Sequence, residues 1–169
     1  MIFKHKKLSH FTTLRIGGPP AALFEATSPD AVVFFAGQAR SMGLHFRVIG
    51  EGSNLFASER GTKEAIIVYR GCDAPQAGDD GRVRALGGTS LDLLVGFLVE
   101  RGLGGLENLA GIPGTVGGAI YGNAGAYGSC ISDRLLSATL LSKDGAIREA
   151  TPAEMSFEYR HSILKESGE

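Results

Sequence analysis

Residues 106–128 read LENLAGIPGTVGGAIYGNAGAYG, and this stretch decides how the rest of the chain is interpreted. Glycine makes up 25 of the 169 residues, about twice its usual share of ~7%. Glycine serves where the backbone needs a positive φ or must come close to another group. Because the glycines cluster between hydrophobic segments, the sequence predicts backbone-lined loops around a ligand.

The densest part of this stretch is GIPGTVGGA at 111–119. Pro113 is predicted in the first turn of a helix, whose N–H groups can hold a phosphate. The same helix would contain Gly117 and Gly118, each of which costs ~1 kcal/mol relative to alanine. Close packing against a flat cofactor explains that cost better than a purely structural turn does. The loop 123–128 extends the pattern with polar atoms.

A second glycine loop, GEGSN at 50–54, follows an apolar strand predicted over 46–49. Its backbone N–H groups can converge on an anion, and Ser53 and Asn54 add side-chain donors, which suits a diphosphate. The loop lacks the third glycine and the following helix of a Rossmann fingerprint, and no Gly-Lys-Ser/Thr of a P-loop follows. Taken alone, the loop is equally well a tight structural turn.

The remaining pattern predicts a mixed α+β protein of two small lobes in tandem. The polar segment GCDAPQAGDDG at 71–81 is the predicted boundary, with a first lobe over 1–72 and a second over 82–169. A ligand is expected between the lobes, where binding clefts are common. Predicted strands cover 21–26, 46–49, 65–69, 83–86, 134–142 and 146–150. One predicted helix runs from a cap at Ser28 to Met42, and another runs from a cap at Ser90 to Arg101. A capped turn is predicted over 151–154.

Composition excludes several classes of function. Seventeen basic and eighteen acidic residues give a net charge of −1. The overall charge therefore does not favour binding to nucleic acid or to an anionic membrane surface. Two cysteines make neither a disulfide framework nor a cysteine-rich zinc site, and the four histidines lack metal-ligand spacing. No apolar run approaches the ~20 residues of a membrane helix, and the start lacks a signal peptide. A cytoplasmic protein without a metal is expected.

The chain closely resembles the bacterial UDP-N-acetylenolpyruvoylglucosamine reductases. The shared motifs, in the same order, are TLRIGGP (13–19), GEGSNL (50–55), the stretch 106–128, ISD (131–133) and FEYRHSILKE (157–166). The resemblance implies an FAD-binding domain of the vanillyl-alcohol-oxidase (PCMH) type, with two α+β lobes that hold FAD non-covalently between them. The implied cofactor-binding residues are Ile16, Gly17, Gly50, Glu51, Gly52, Ser53, Asn54, Gly111, Ile112, Pro113, Gly114, Thr115, Gly117, Gly118, Asn123 and Gly125. Cys130 is the one candidate for covalent flavin attachment, and a small buried thiol is the favoured interpretation.

The activity implied by the resemblance is the reduction of UDP-N-acetylglucosamine enolpyruvate to UDP-N-acetylmuramate, a peptidoglycan precursor, with NADPH as reductant. Tyr159-Arg160 matches the Tyr-Arg of the family, whose arginine is catalytic, and Tyr159 is then adjacent to the substrate. A fixed guanidinium at Arg160 suits the enolate charge that hydride delivery creates on the substrate carboxylate. Local sequence alone favours a surface ion-pair role for Arg160, and the family match reverses that preference.

The family continues beyond the YRxSxxK motif into a substrate-binding domain with a serine or cysteine proton donor and a glutamate. That domain is expected to be absent here, because Ser162, Ser167, Glu166 and Glu169 lie too close to Arg160 in sequence to take those roles. The chain alone is therefore expected to be inactive. A non-catalytic FAD- or nucleotide-binding module is the alternative function, and an unrelated flavin oxidase of the same fold is a third.

Overall fold

The computed structural model describes residues 6–71 and 73–167. The chain divides into two compact units, Met1–Cys72 and Asp73–Glu169. This division falls inside the polar segment 71–81. Among the described residues, no helix is long and apolar enough to cross a membrane.

Among its described residues, the first unit contains a three-stranded parallel sheet, one α-helix and a 3-10 turn at Leu8–His10. Its elements are β1 (Pro20–Ala26), α1 (Pro29–Ser41), β2 (Phe46–Ile49) and β3 (Thr62–Tyr69). β3 lies in the centre and pairs in parallel with β1 and with β2. The predicted strands and helix are confirmed. Ser28 accepts the N–H of Ala31 at 3.2 Å, Pro29 opens the helix, and Gly43 follows its end with φ +70°, as expected for a capped helix with a glycine stop.

The core of this unit lies on β1 and β3. Leu23, Phe24 and Ile67 are fully buried, which stabilises the fold by about 2 kcal/mol for each side chain. α1 buries Val32, Ala36 and Ala39, and the ring of Phe35 stacks on Phe24 with centroids 4.9 Å apart. Val32, Ala36 and Ala39 thus form the core face of the predicted helix.

The second unit has short ladders and more loop than the sequence predicts. Three antiparallel pairs are formed by β4 (Gln76–Ala77) with β5 (Val83–Arg84), β6 (Gly125–Ala126) with β7 (Ser129–Cys130), and β8 (Ala138–Leu141) with β9 (Ile147–Ala150). The helices are α2 (Leu91–Glu100), α3 (Val116–Gly122) and α4 (Leu164–Ser167). The strand predicted over 83–86 stops at Arg84, and its partner β4 lies in the segment predicted as a linker. The strand predicted over 134–142 covers only 138–141, because its partner β9 pairs with it only over those four residues.

α3 lies between two small cores of the second unit. Its Ile120 packs against a cluster from α2 and the following loops (Leu91, Val95, Leu106, Leu109, Ala119 and Ile131). Ile120 also packs against a cluster around the β8–β9 hairpin (Leu140, Ala150, Met155 and Leu164). This short helix therefore joins the glycine-rich stretch to the segment that carries Tyr159 and Arg160.

Candidate functional site

The loop 50–54 is fixed against residues 11–13 of its own unit. Gly52 has φ +67°, and a Cβ there would lie 2.1 Å from the carbonyl oxygen of Phe11. The carbonyl of Gly52 accepts the N–H of Thr13 at 3.2 Å. Gly52 is thus required by the chain itself, while Asn54 is exposed. Gly50, Glu51 and Ser53 are half-buried along the same loop.

The backbone of Ile16 and Gly17, the other predicted cofactor residues of this unit, is occupied by internal hydrogen bonds. The Thr12 hydroxyl donates to the Ile16 carbonyl at 2.8 Å and accepts the Ile16 N–H at 3.1 Å. Gly17 is buried and donates its N–H to Glu59 Oε1 at 2.9 Å. The half-buried Ile16 side chain is therefore what this turn offers to a ligand. Glu59 positions this turn through that hydrogen bond, a role that no motif around it in the sequence indicates.

In the second unit, the loop 111–114 needs glycine for its conformation. Gly111 has φ +78° and Gly114 has φ +130°, values that L side chains rarely adopt. The Gly111 N–H donates to Asp92 Oδ1 at 2.7 Å, and the Gly114 carbonyl accepts the Leu91 N–H at 2.9 Å. The loop is thus held on the first turn of α2. Gly111 and Pro113 are exposed, whereas Ile112 packs on the core.

The prediction that Pro113 opens a helix with available N–H groups is wrong. α3 begins at Val116, because Gly114 leaves the helical region and Thr115 is the N-cap. The buried Thr115 hydroxyl accepts the Gly118 N–H at 3.3 Å. The N–H groups of Val116 and Gly117 donate to the carbonyls of Thr89 and Gly87, each at 2.8 Å. These three N–H groups are therefore already used within the chain.

Gly117 and Gly118 differ in what surrounds them. A Cβ at Gly117 would lie 3.0 Å from the Gly87 carbonyl oxygen, so this glycine packs against another backbone segment. The flat-cofactor explanation is therefore not needed at Gly117. A Cβ at Gly118 would meet nothing closer than the Thr115 hydroxyl at 3.5 Å, and Gly118 is exposed. Sequence reasoning missed Gly87, although GG at 87–88 is a glycine pair like the others.

The loop after α3 combines left-handed backbone with a buried amide. Asn123 ends the helix at φ 44° and is 5% exposed. Its Nδ2 donates to the Glu158 carbonyl at 2.9 Å, whereas its Oδ1 is buried without a hydrogen-bond partner among the described residues. Gly125 is packed against Ser129 of the β6–β7 hairpin. Tyr127 (φ 50°, 92% exposed) lies at the tip of this hairpin.

Tyr159 and Arg160 form the tip of a tight turn. The backbones of Glu158 and His161 exchange two hydrogen bonds, at 3.1 and 3.2 Å. Arg160 has φ 56°, and its carbonyl accepts Lys165 Nζ at 2.6 Å. Both side chains at the tip are exposed, and the guanidinium lies 5.9 Å from the Tyr159 ring. A non-glycine residue held in the left-handed region marks strain of the kind that concentrates at functional sites.

Two exposed carboxylates of the second unit, Glu107 and Glu154, are stabilised in their charged form. Hydrogen bonds from the backbone N–H groups of Glu107 and Gly105 lower the pKa of the Glu107 carboxyl. The backbone N–H and the hydroxyl of Thr151 donate to Glu154 Oε2 at 2.8 and 2.7 Å, which confirms the capped turn predicted at 151–154. The same hydrogen bonds lower the pKa of Glu154. Neither group faces a cluster that could bind a metal, since the described residues contain no group of three His, Cys, Asp or Glu suited to an ion.

The residues present fit FAD through loops and side chains and not through the start of α3. The buried Asn123 oxygen lacks a partner, and such groups are normally satisfied by a ligand, a water or the protein. The backbone is exposed at Gly111 and Gly118, where a ligand can approach it closely. Within the second unit, the residues that would hold FAD are thus 111–115, Gly118 and 123–125. Within the first unit, the loop 50–54 is a separate candidate for contact with the cofactor.

Comparison with known proteins identifies the family of the chain. The FAD binding domain family matches residues 20–151. The UDP-N-acetylenolpyruvoylglucosamine reductase of Bacillus licheniformis is 40% identical over 165 residues, which cover 97% of this chain and 54% of that protein. The chain therefore spans about half the length of the curated relatives it matches.

Solved structures extend the comparison to the fold. The UDP-N-acetylenolpyruvylglucosamine reductase of Thermus caldophilus matches with a TM-score of 0.76 and 33% identity, over 96% of this chain and 57% of that one. The 6-hydroxy-D-nicotine oxidase of Arthrobacter nicotinovorans matches with a TM-score of 0.64 and 25% identity, over 81% and 31%. The predicted fold class is confirmed. The protein belongs to the FAD binding domain family, with an α+β fold of the vanillyl-alcohol-oxidase type.

Proposed function

We propose that this chain binds FAD non-covalently and supplies the FAD-binding part of a cytoplasmic reductase that converts UDP-N-acetylglucosamine enolpyruvate to UDP-N-acetylmuramate with NADPH. The names of the relatives and the match to the FAD binding domain family support this proposal. The observation that carries it is the tie between the Tyr159–Arg160 turn and the end of α3. An exposed arginine is thereby fixed next to the loop 123–125.

FAD, when bound, supplies hydride transfer to the carbon–carbon double bond of the substrate. Arg160 has the role of holding the substrate carboxylate, because a guanidinium offers two parallel donors and stabilises the negative charge that develops there. Tyr159, next to it on the turn, would contact the substrate. Ser162 is excluded as proton donor, because its fully buried hydroxyl already donates to the Tyr121 carbonyl at 2.7 Å.

The experiment that tests FAD binding uses two exposed helical glycines. Gly118→Ala and Gly96→Ala each add a methyl group in a helix without a close neighbour, and each is expected to stabilise the fold by about 1 kcal/mol. Only Gly118→Ala places that methyl group at the proposed FAD site. We expect both variants to unfold at higher temperature, with at least a tenfold weaker affinity for FAD in Gly118→Ala alone.

Flavin absorption after incubation with FAD and desalting gives the direct readout. Retained flavin in the wild-type chain supports the proposal, and its loss from Gly118→Ala assigns the loop. Equal retention in both alanine variants would remove Gly118 from the cofactor site. No retained flavin in the wild-type chain would contradict FAD binding by this chain. Because the chain alone is expected to be inactive, NADPH oxidation is measured after addition of the C-terminal domain of a relative. FAD retained without substrate-dependent NADPH oxidation in that mixture would favour the binding-module alternative.

A further inference from the structure

We propose that Asn123 and Ser162 are positioning residues that hold the Tyr159–Arg160 turn on the end of α3. The relevance of this inference to catalysis rests on the function proposed above, because it concerns how Arg160 is presented to the substrate. The hydrogen-bonding arrangement itself does not depend on that function, so the two are tested separately.

The first tie runs from the Asn123 side chain to the turn. Its Nδ2 donates to the Glu158 carbonyl at 2.9 Å, and the same carbonyl accepts the His161 N–H at 3.2 Å. Both acceptor sites of that oxygen are therefore used. Because Asn123 is 5% exposed, this hydrogen bond is partly shielded from water. Loss of the amide would leave the Glu158 carbonyl with one partner fewer, which weakens the closed form of the turn.

The second tie runs in the opposite direction, from the turn to the helix. Ser162 is 0% exposed, and its hydroxyl donates to the Tyr121 carbonyl at 2.7 Å. Tyr121 lies in the last turn of α3, where carbonyls have no partner within the helix. The two ties hold the segment 158–162 at both sides of Arg160. They give a reason for a strained φ of 56° at a non-glycine residue, since strain persists only where the surroundings impose it.

Asn123 is therefore used differently from what the sequence suggested. Its amide nitrogen donates within the chain, and its buried Oδ1 has no hydrogen-bond partner among the described residues. The left-handed backbone at Asn123 (φ 44°) also directs the chain from α3 into the β6–β7 hairpin. Asn123→Gly separates the two properties, because glycine keeps the left-handed backbone and removes the amide.

Trypsin provides a direct test, because it cleaves after Arg160 when the turn opens. In the 169-residue chain, we expect Asn123→Gly to raise the rate of cleavage after Arg160 about fivefold, the change that corresponds to a typical hydrogen bond of about 1 kcal/mol. Cleavage after the exposed Arg101, which follows α2 in the same unit, serves as the internal control. An equal rise after Arg101 would show a loss of structure throughout the second unit and would overturn the inference.

Ser162 is tested with a matched pair. Ser162→Thr and Ser162→Val both add bulk at a fully buried position, but only threonine keeps the hydroxyl that reaches Tyr121. We expect faster cleavage after Arg160 in Ser162→Val than in Ser162→Thr, again by about fivefold. Thermal unfolding of each variant separates local opening from loss of the fold. Equal cleavage in the pair, or a rate in Asn123→Gly equal to that of the wild type, would overturn the proposal.

The proposed function is tested in the same assay by adding the substrate. If Arg160 contacts the substrate carboxylate, UDP-N-acetylglucosamine enolpyruvate should slow cleavage after Arg160 in the FAD-loaded wild-type chain. Absence of protection would count against the role of Arg160 and would leave the effect of Asn123→Gly intact. Conversely, protection of the wild type without an effect of Asn123→Gly would refute the positioning role alone.

Discussion

The two glycine-rich loops of this chain look alike in sequence and use glycine differently. In the loop 50–54, Gly52 is pressed against the backbone of Phe11, with no room for a Cβ. In the stretch 111–118, glycine has three uses: backbone conformation at Gly111 and Gly114, packing against Gly87 at Gly117, and exposure at Gly118. Gly118 and the exposed Gly111 leave an open place for a ligand, and of these two only Gly118 has a helical backbone that accepts alanine.

This difference shows that a glycine motif is not by itself a map of cofactor contacts. A glycine can be required by the chain, by the ligand or by both, and the neighbours of its missing Cβ distinguish these cases. Variants at Gly52 and Gly117 would lose FAD whenever they lose the fold, so they cannot assign the site. Gly118 is the position where the effects on stability and on binding are expected to separate.

The largest expected effect is that of Gly52→Ala. The added Cβ would lie 2.1 Å from the Phe11 carbonyl oxygen, in a backbone conformation that disfavours alanine. We expect a loss of at least about 4 kcal/mol in the free energy of unfolding, measured by urea denaturation followed by circular dichroism. An unchanged midpoint would mean that residues 11–13 move aside easily, and the contrast between the two loops would not hold.

Neighbouring glycines of α3 are expected to respond with opposite sign. Gly117→Ala brings a Cβ to 3.0 Å from the Gly87 oxygen, whose position is fixed by the Gly117 N–H, and should destabilise the chain by about 1–2 kcal/mol. Gly118→Ala should stabilise it by about 1 kcal/mol. Denaturation of both variants under identical conditions checks the difference. A shared sign would show that the two positions are equivalent in packing.

A smaller effect is expected at the tip of the Tyr159–Arg160 turn. Arg160 holds φ 56°, a region that costs an L side chain about 1 kcal/mol more than glycine. Arg160→Gly should therefore be more stable than Arg160→Ala by about 1 kcal/mol, by thermal unfolding. If alanine were equally stable, the turn would not be strained, and the reason given for the Asn123 and Ser162 ties would be lost.

The smallest effect concerns pH and lies outside both loops. The hydrogen bonds from Thr151 lower the pKa of Glu154, so the charged carboxylate is favoured in the folded state. Its contribution to stability is present above the unfolded pKa of about 4.3 and is lost as pH falls through the lower, folded value. Glu154→Gln should show a shallower decrease in melting temperature on acidification than the wild type. Parallel curves would contradict this contribution.

Sequence patterns were most reliable where a regular element carries a core face. The α1 stripe, its Ser28 cap and the three strands of the first unit follow from apolar periodicity and capping, and the structure confirms them. In the second unit, several strands have only two residues, which is too short for an alternation of apolar and polar side chains to be recognised. Pro113 was misleading because its preference for a helix start is local, whereas Gly114 at φ +130° ends that possibility one residue later.

The sequence by itself determined the family, the α+β class and the segments that carry the candidate site, because ordered motifs and periodic core faces are local properties of the chain. Tertiary structure alone decided which glycines are required by the fold, that the first N–H groups of α3 are occupied, and that Asn123 and Ser162 hold the Arg160 turn. Those features depend on contacts between residues far apart in the sequence, such as Asn123 with Glu158, 35 positions apart, and Tyr121 with Ser162, 41 positions apart. The partner of a backbone group at such separation is set by packing, which no local pattern encodes.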